Sequence, residues 1–472
     1  MAMDWERLLC ETRIRDLKNG LESDGDHRSE FDRDYDRIIF SSTLRRLKDK
    51  TQVFPLDPND FVRTRLTHSL EVASIAKGLM ALIIEKLKED KGVDLHHLES
   101  KLVTVASTAA LVHDLGNPPF GHFGEDSIQS WFKTPLGIEA LQPLDGHPQL
   151  AADLIKFEGN ARTLRLLANL QILADRNGLN LTAGTMSACM KYIAESYEAD
   201  KEHDDHAFSK PGVCGTELAI VKLIQEATGT GKARNPIAFI VEAADDCVYS
   251  ICDIEDGIRK RAISFDYLCE KLKEKEFGYI ATDVVNSVDN KLSNCGLDEF
   301  KSSRGESYSV QFRVKAQGIA IKTAADAFIQ NYDEIMAGTF TGELLSESGS
   351  TEGEKLIAFS KNLGRSDVYT VRSTIELELR GCRIIHDLLS ALWPGVKNYE
   401  GESPKAKNAD GKAWELLSKN YRDVFEHDWK NPPVNVDKVA WRHYLKLMLI
   451  TDYVAGMTDG YAASLHKSLM NA

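Results

Sequence analysis

His113 and Asp114 close a run of residues, Val103 to Leu115, that is apolar nearly all round, and a helix of that kind belongs inside a protein. Two ionisable groups at a buried helix end carry a penalty on the order of several kcal/mol unless something compensates them, and a metal ion does this well. His68 opens another helical segment. Alone, a histidine there reads equally as a helix cap or a surface group. A third segment repeats Glu242, Asp245, Asp246, Tyr249, Asp253 and Asp256 at spacings of three or four. A solvated acidic face has the same pattern, but Phe239, Ile240, Val241, Val248 and Ile251 flank these residues, so the stripe is expected to line a polar cavity. Asp245, Tyr249 and Asp253 then point into it one turn apart. Two imidazoles and two carboxylates suit Mg²⁺, Mn²⁺, Fe²⁺ or Zn²⁺ and leave positions open for water and substrate. Such an ion acidifies water and neutralises phosphoryl oxygens, which is the chemistry of phosphoester hydrolysis.

These residues must be positioned by helices. Leu70, Ala73, Ala76, Leu79, Met80, Ile83, Ile84 and Leu87 recur at helical spacing, which predicts a core-facing helix over 70–87 that starts near His68. Gly116-Asn117-Pro118-Pro119 must end the apolar helix just after His113-Asp114. Asn235 is a good cap and Pro236 a good first helical residue for a third helix running to about Arg259. Strand-like alternation is scarce, so the fold class expected is all-α, a helical core with additional N- and C-terminal helices. Loops are expected at Glu202–Gly212, Ser287–Ser309, Glu343–Glu354 and Asn398–Lys412, where Gly, Ser, Asn and charged residues concentrate. With no internal repeat and no long linker, the 472 residues read as one large helical body. Its core lies at about 63–260 and a C-terminal extension at about 310–472.

Composition narrows the class. Hydrophobic residues at 43% and charged residues at 28% allow a large buried core. A net charge of −14 argues against a protein that coats nucleic acid, although the basic run Arg45-Arg46-Leu47-Lys48 still suits phosphates locally. The eight cysteines form no CxxC pair, as expected of reduced thiols. The N-terminal stretch has no apolar signal core, and no apolar run approaches the roughly 18 residues of a membrane span, so a soluble cytoplasmic protein is expected. Three look-alikes carry no chemistry in this reading. Gly229-Thr-Gly-Lys232 has Glu226 and Ala233 where a phosphate loop needs Gly and Ser or Thr. His386-Asp387 repeats the His-Asp pair in an amphipathic helix without an upstream His or trailing Asp. His203-Asp-Asp-His206 lies in a charged loop of a kind usually unliganded.

His68 within RTRLTHSLEVA, LVHDLGNPPFGHFGEDSI at 111–128, FEGNAR at 157–162, CMKY at 189–192 and EAADDCVYSICDIEDG at 242–257 together resemble the bacterial deoxyguanosinetriphosphate triphosphohydrolases, of the HD superfamily. The resemblance extends to RSEFDRDYDRIIFSSTLRRLKDKTQVFP upstream and LITDYVAGMTDGYA downstream, nearly the whole chain. It implies hydrolysis of a deoxynucleoside triphosphate, dGTP foremost, to the nucleoside and inorganic triphosphate by water attack at the α-phosphorus. It implies one divalent ion, Mg²⁺ or Mn²⁺ or similar, held by His68, His113, Asp114 and Asp245, with Asp245 preferred to Asp246 because Tyr249 and Asp253 follow it at the family's spacing. His122 and Glu125 match the family's second catalytic pair, with His122 the general acid or base and Glu125 orienting it. Arg65, Lys191, Tyr192, Tyr249 and Asp253 match positions facing the substrate, where cations meet phosphate. Gln52 and Asn160 match positions near the nucleoside. A homo-oligomer, hexameric in the family, and single-stranded DNA are implied as partners.

Two other readings are compatible with the sequence. One is a different HD-type phosphohydrolase acting on a guanosine polyphosphate or cyclic nucleotide. The second is a regulatory nucleotide- or single-strand-DNA-binding protein with a vestigial site, against which the intact ligand set speaks.

Overall fold

Thr64 starts the helix that carries His68: its side chain accepts from the Thr67 amide, and Thr67 Oγ1 accepts from the Thr64 amide at 3.0 Å, a reciprocal cap. The helix, α1 (Arg65–Lys86), therefore begins one turn earlier than the apolar pattern suggests, and His68 sits inside it, buried. The computed structural model describes residues 2–19, 28–54, 62–171, 175–294, 304–370 and 372–470. Short helices at Trp5–Leu8, Ile14–Asn19, Glu30–Ile39 and Ser42–Arg46 precede α1.

Helix α2 (Glu99–Val112) packs along α1, and its last eight residues are buried except Ser107, in keeping with its apolar sequence. It stops at His113, after which Gly116 to Phe120 turn the chain into α3 (Gly121–Trp131). The short α4 (Gly159–Arg165) follows, and then the two strands among the described residues, β1 (Ala194–Glu195) and β2 (Pro211–Val213), which pair in parallel. The fold is all-α apart from this one small ladder. Helix α5 (Pro236–Arg259) is capped by Asn235, whose side chain accepts from the Ile237 amide at 2.9 Å. Nearly every residue of α5 is buried, because α1, α2, α6 (Arg304–Gln330) and α7 (Glu352–Leu363) surround it. At ~1.5 Å per residue it spans about 36 Å and forms the axis of the core.

Of the C-terminal elements α8 (Arg372–Lys397), α9 (Lys438–Ala455) and α10 (Asp459–Met470), α8 packs on both of the others and on α3. Their contribution to the site is a set of anchors. Asp452 on α9 accepts from Arg162 Nη1 at 2.6 Å and from Arg165 Nη2 and Nε at 2.8 and 3.0 Å, all three residues buried. Asp459 Oδ1 accepts from the Phe120 amide at 2.9 Å and Oδ2 from the Thr51 amide at 3.0 Å. Buried Lys50 bridges the carbonyls of Asn117 and Ala455. Phe120 has φ +64°, a strained region for a non-glycine residue. Its ring lies against Gly381 of α8, where a Cβ would meet Phe120 Cγ at 2.8 Å.

All four expected loops hold part of a regular element: Glu343–Glu354 ends in the first turn of α7, and Glu202–Gly212 holds a short helix at His206–Phe208 and the start of β2. Residues 287–294 belong to the helix Gly278–Asn294, where buried Val288 follows buried Val284 by one turn, and 304–309 to α6, whose first buried aromatic is Phe312. Residues 295–303, with Cys295, lie outside the described residues. Similarly, the segment expected as a loop up to Lys412 turns helical at Ala409, where Asn408 caps a helix that buries Trp414. No helix of the described residues is long and apolar enough to cross a membrane, and no described cysteine is in a disulfide.

The Asp452 anchor gives the first prediction. Asp452→Ala leaves Arg162 and Arg165 buried with less compensation, and urea unfolding should show a loss of about 3 kcal/mol or more; a loss within about 0.5 kcal/mol would show that α4 is held by other means.

Candidate active site

α1, α2 and α5 meet where His68, His113, Asp114 and Asp245 converge. The ligand atoms of His68, His113 and Asp114 lie within 4.8 Å of one another. Asp245 Oδ1 is 3.1 Å from His68 Nε2 and 3.5 Å from His113 Nε2, and Asp114 Oδ2 is 3.6 Å from His113 Nε2 and 3.9 Å from His68 Nε2. His68 Nε2, His113 Nε2 and Asp245 Oδ1 are buried yet make no hydrogen bond, so neighbouring donor atoms approach without pairing. A divalent cation satisfies all of them at once, and an N₂O₂ donor set is the kind that Mg²⁺, Mn²⁺, Fe²⁺ or Zn²⁺ accepts. The residues present fit the group.

The surroundings orient these donors. His113 Nδ1 donates to the Ala110 carbonyl at 2.6 Å, which assigns the tautomer and leaves Nε2 as the ligand atom. Asn117 Nδ2 donates to Asp114 Oδ1 at 2.6 Å, and Arg65 pairs with Oδ2. Burial opposes ionisation of Asp114, but Arg65 and the two imidazoles outweigh it and hold the carboxyl well below the usual range. Asp245 is likewise held low against burial by both histidines. Burial disfavours the imidazolium of His113, yet Asp114 and Asp245 lift it to about 9. The adjacent Asp246 is buried against Lys361 Nζ at 3.0 Å, on another face of α5, and burial pushes it up to about 7.

His122, on the first turn of α3, meets Glu125 Oε2 through Nδ1 at 3.1 Å, and its ring is 74% exposed. Its pKa is raised, first by the hydrogen bond to Glu125 and then by that carboxylate's charge. Glu125 is itself buried; burial opposes its charge, but His122, Lys210 and the Gly159 amide at 2.9 Å keep its pKa low. Gly159 joins this pair to the His68–His113–Asp114–Asp245 cluster. A Cβ there would meet Asn117 Oδ1 at 2.0 Å and Glu125 Oε1 at 2.7 Å, so the start of α4 presses on the partners of both Asp114 and His122.

The residues matched to substrate contacts are spread around these groups. Arg65 is buried against Asp114, as described. Lys191 Nζ lies 3.4 Å from Glu242 Oε1 and 5.6 Å from the Tyr192 ring centre. Tyr249 faces Lys361 Nζ at 5.6 Å from its ring centre. Asp253 accepts from Tyr369 OH, and burial raises its pKa to about 7. Asn160 donates to Glu158 Oε1 at 2.7 Å, while Gln52 Oε1 is buried without a donor. Asn117, Gly159 and Lys210 were not singled out from sequence, although the first two stand inside the quoted motifs. Lys361 and Tyr369 come from the C-terminal part, where no local pattern marks them.

The comparisons with known proteins fit this arrangement. Residues 65–247, from the start of α1 to two residues past Asp245, match the HD domain family. The chain is 34% identical, over 99% of each chain, to the deoxyguanosinetriphosphate triphosphohydrolase-like protein of Listeria monocytogenes, and equally so to that of Listeria innocua. It is 31% identical to the deoxyguanosinetriphosphate triphosphohydrolase of Cronobacter sakazakii, over 96% of this chain and 95% of the relative. The chain belongs to the deoxyguanosinetriphosphate triphosphohydrolase family. It is an enzyme of the HD hydrolase type, and the residues matched to the HD domain include His68, His113, Asp114 and Asp245.

Asn117→Ala removes a hydrogen bond to Asp114 without touching a ligand atom. Calorimetric titration of the metal-stripped protein with Mn²⁺ should show affinity 10–100-fold weaker; unchanged affinity would mean that Asp114 needs no such support.

Proposed function

We propose that the protein hydrolyses dGTP, and other deoxynucleoside triphosphates to a lesser extent, to the deoxynucleoside and inorganic triphosphate. The observation that carries this reading is the pairing of an N₂O₂ donor cluster with a separate His122–Glu125 couple, in a chain similar throughout to proteins named for that substrate. A divalent ion bound by His68, His113, Asp114 and Asp245 supplies positive charge for phosphoryl oxygens and acidifies water.

The protein's own residues do the rest. Lys191 meets the triphosphate as a point charge, beside Tyr192. Arg65 acts mainly by holding Asp114, given their ion pair. His122 carries a proton that Glu125 stabilises, and donating it to the departing 5′-oxygen of the nucleoside spares the leaving group a full negative charge. Tyr249 and Asp253, with Tyr369, offer hydroxyl and carboxylate groups for the sugar, and the amides of Gln52 and Asn160 suit a base or sugar edge. Assembly as a homo-oligomer and contact with single-stranded DNA belong to the same proposal, by resemblance to the family.

Turnover of the four deoxynucleoside triphosphates, each with Mg²⁺ and with Mn²⁺, tests the reading by separation of the products. dGTP should turn over fastest and yield deoxyguanosine with triphosphate, and His122→Ala should lower kcat by about 10²–10⁴-fold. Pyrophosphate with a 5′-monophosphate would refute the proposal and favour another HD-type phosphohydrolase, while tight nucleotide binding without turnover would favour a regulatory protein.

A further inference from the structure

The loop 202–212 separates its two histidines. His203 stays on the surface with its ring stacked on Phe208, centroids 4.9 Å apart, whereas His206 turns inward toward α5. There His206 Nε2 lies 3.3 Å from Glu242 Oε1 and 3.2 Å from Glu343 Oε1, and ligand atoms of the three residues lie within 4.8 Å of one another. Glu242 is only 2% exposed. Its Oε2 accepts from Arg234 Nη2 at 2.6 Å, but Oε1 makes no hydrogen bond, and neither does His206 Nε2.

Buried imidazole nitrogen and carboxylate oxygen, close together and misaligned for hydrogen bonding, are also the signature of the His68–His113–Asp245 cluster. The spacing has a geometric meaning. Ligand atoms ~2.0–2.1 Å from a tetrahedral ion lie about 3.3 Å from one another, which matches both His206 contacts. A charge-assisted hydrogen bond would instead draw the atoms to about 2.7–2.9 Å.

We propose that His206, Glu242 and Glu343 form a second divalent-cation site, separate from the catalytic cluster and best suited to Zn²⁺, with Mn²⁺ as the alternative ion. Three protein donors, one nitrogen and two oxygens, leave the fourth position to water. The neighbouring cations do not preclude it. Arg234 occupies the other oxygen of Glu242, and Lys191 Nζ, at 3.4 Å, is too distant for a strong charge-assisted bond to Oε1. A cation on Oε1 would repel Lys191 from Glu242 and turn its ammonium toward anionic ligands. The same ion would tie three segments together: the loop 202–212 through His206, the segment before α7 through Glu343, and α5 through Glu242. The His206 amide already donates to the Thr341 carbonyl at 2.9 Å, so two of these segments are in register without the ion.

The experiment counts ions, not turnover, and so stands apart from the proposed activity. Full-length protein stripped with chelator is titrated with Zn²⁺ and, separately, Mn²⁺, and bound metal per chain is measured by elemental analysis after desalting. Wild type should hold two ions of at least one metal. His206→Ala and Glu343→Gln should each hold one, His113→Ala also one, and the His113→Ala/His206→Ala double variant none. Glu343 lies on the surface loop, so its isosteric glutamine variant keeps the test valid if His206→Ala misfolds by circular dichroism. One ion in wild type that only His113→Ala removes would overturn the proposal. So would a second ion that persists in both His206→Ala and Glu343→Gln.

Discussion

Asp245 Oδ1 stands 3.1 Å from one imidazole nitrogen and 3.5 Å from another without bonding to either, and this buried, unsatisfied convergence is what the surrounding helices must hold in place. Helices left to pack by burial alone would separate such groups, because each is better off in water or with a proper partner. They stay together because each is fixed by its own helix: His68 one turn inside α1, His113 at the end of α2, Asp245 in the middle of α5. Surrounding partners distribute the strain. Arg65 and Asn117 pair Asp114, and the Ala110 carbonyl sets the ring of His113. A cation would complete what these contacts leave open.

The C-terminal helices α8, α9 and α10 contribute none of the four donors at the α1–α2–α5 junction, yet they hold the loop before His122 in place. Asp459 holds the amide of the left-handed Phe120, Gly381 admits the ring of that residue, and Asp452 fixes the arginines of α4. α4 in turn carries Gly159, whose missing side chain lets Asn117 and Glu125 lie on either side of it. The His68–His113–Asp114–Asp245 cluster and the His122–Glu125 pair are therefore positioned by one connected set of buried contacts. This gives a physical reason for motifs as far apart as GNPPFGH, FEGNAR and LITDYVAGMTDGYA to occur in one chain.

What could be read from the sequence follows from how local each signal is. Apolar periodicity, the Asn235-Pro236 cap and the Gly116–Pro119 break act within a few residues, so α5 was legible to its ends, while α1 and α2 were legible in position but begin about a turn before their apolar patterns. The His113-Asp114 pair announced itself by the cost of burying it. Asp245 could be separated from Asp246 only by resemblance, whereas in the structure Lys361, more than a hundred residues away, occupies Asp246. Tyr369 beside Asp253 and Glu343 beside His206 share that character: each is a long-range contact with no local pattern to mark it. Composition also misled at residues 287–294 and 304–309, which are polar stretches of helices anchored by buried Val284 and Val288 in one and Phe312 in the other.

In the proposed reaction the α1–α2–α5 junction directs water to the α-phosphorus of a deoxynucleoside triphosphate. Hydrolysis of dGTP in ¹⁸O-labelled water, followed by mass spectrometry of both products, tests it most directly. The account predicts one ¹⁸O in the inorganic triphosphate and none in deoxyguanosine, because the bond broken is that between the α-phosphorus and the 5′-oxygen. Label in the 5′-hydroxyl of the nucleoside would contradict it.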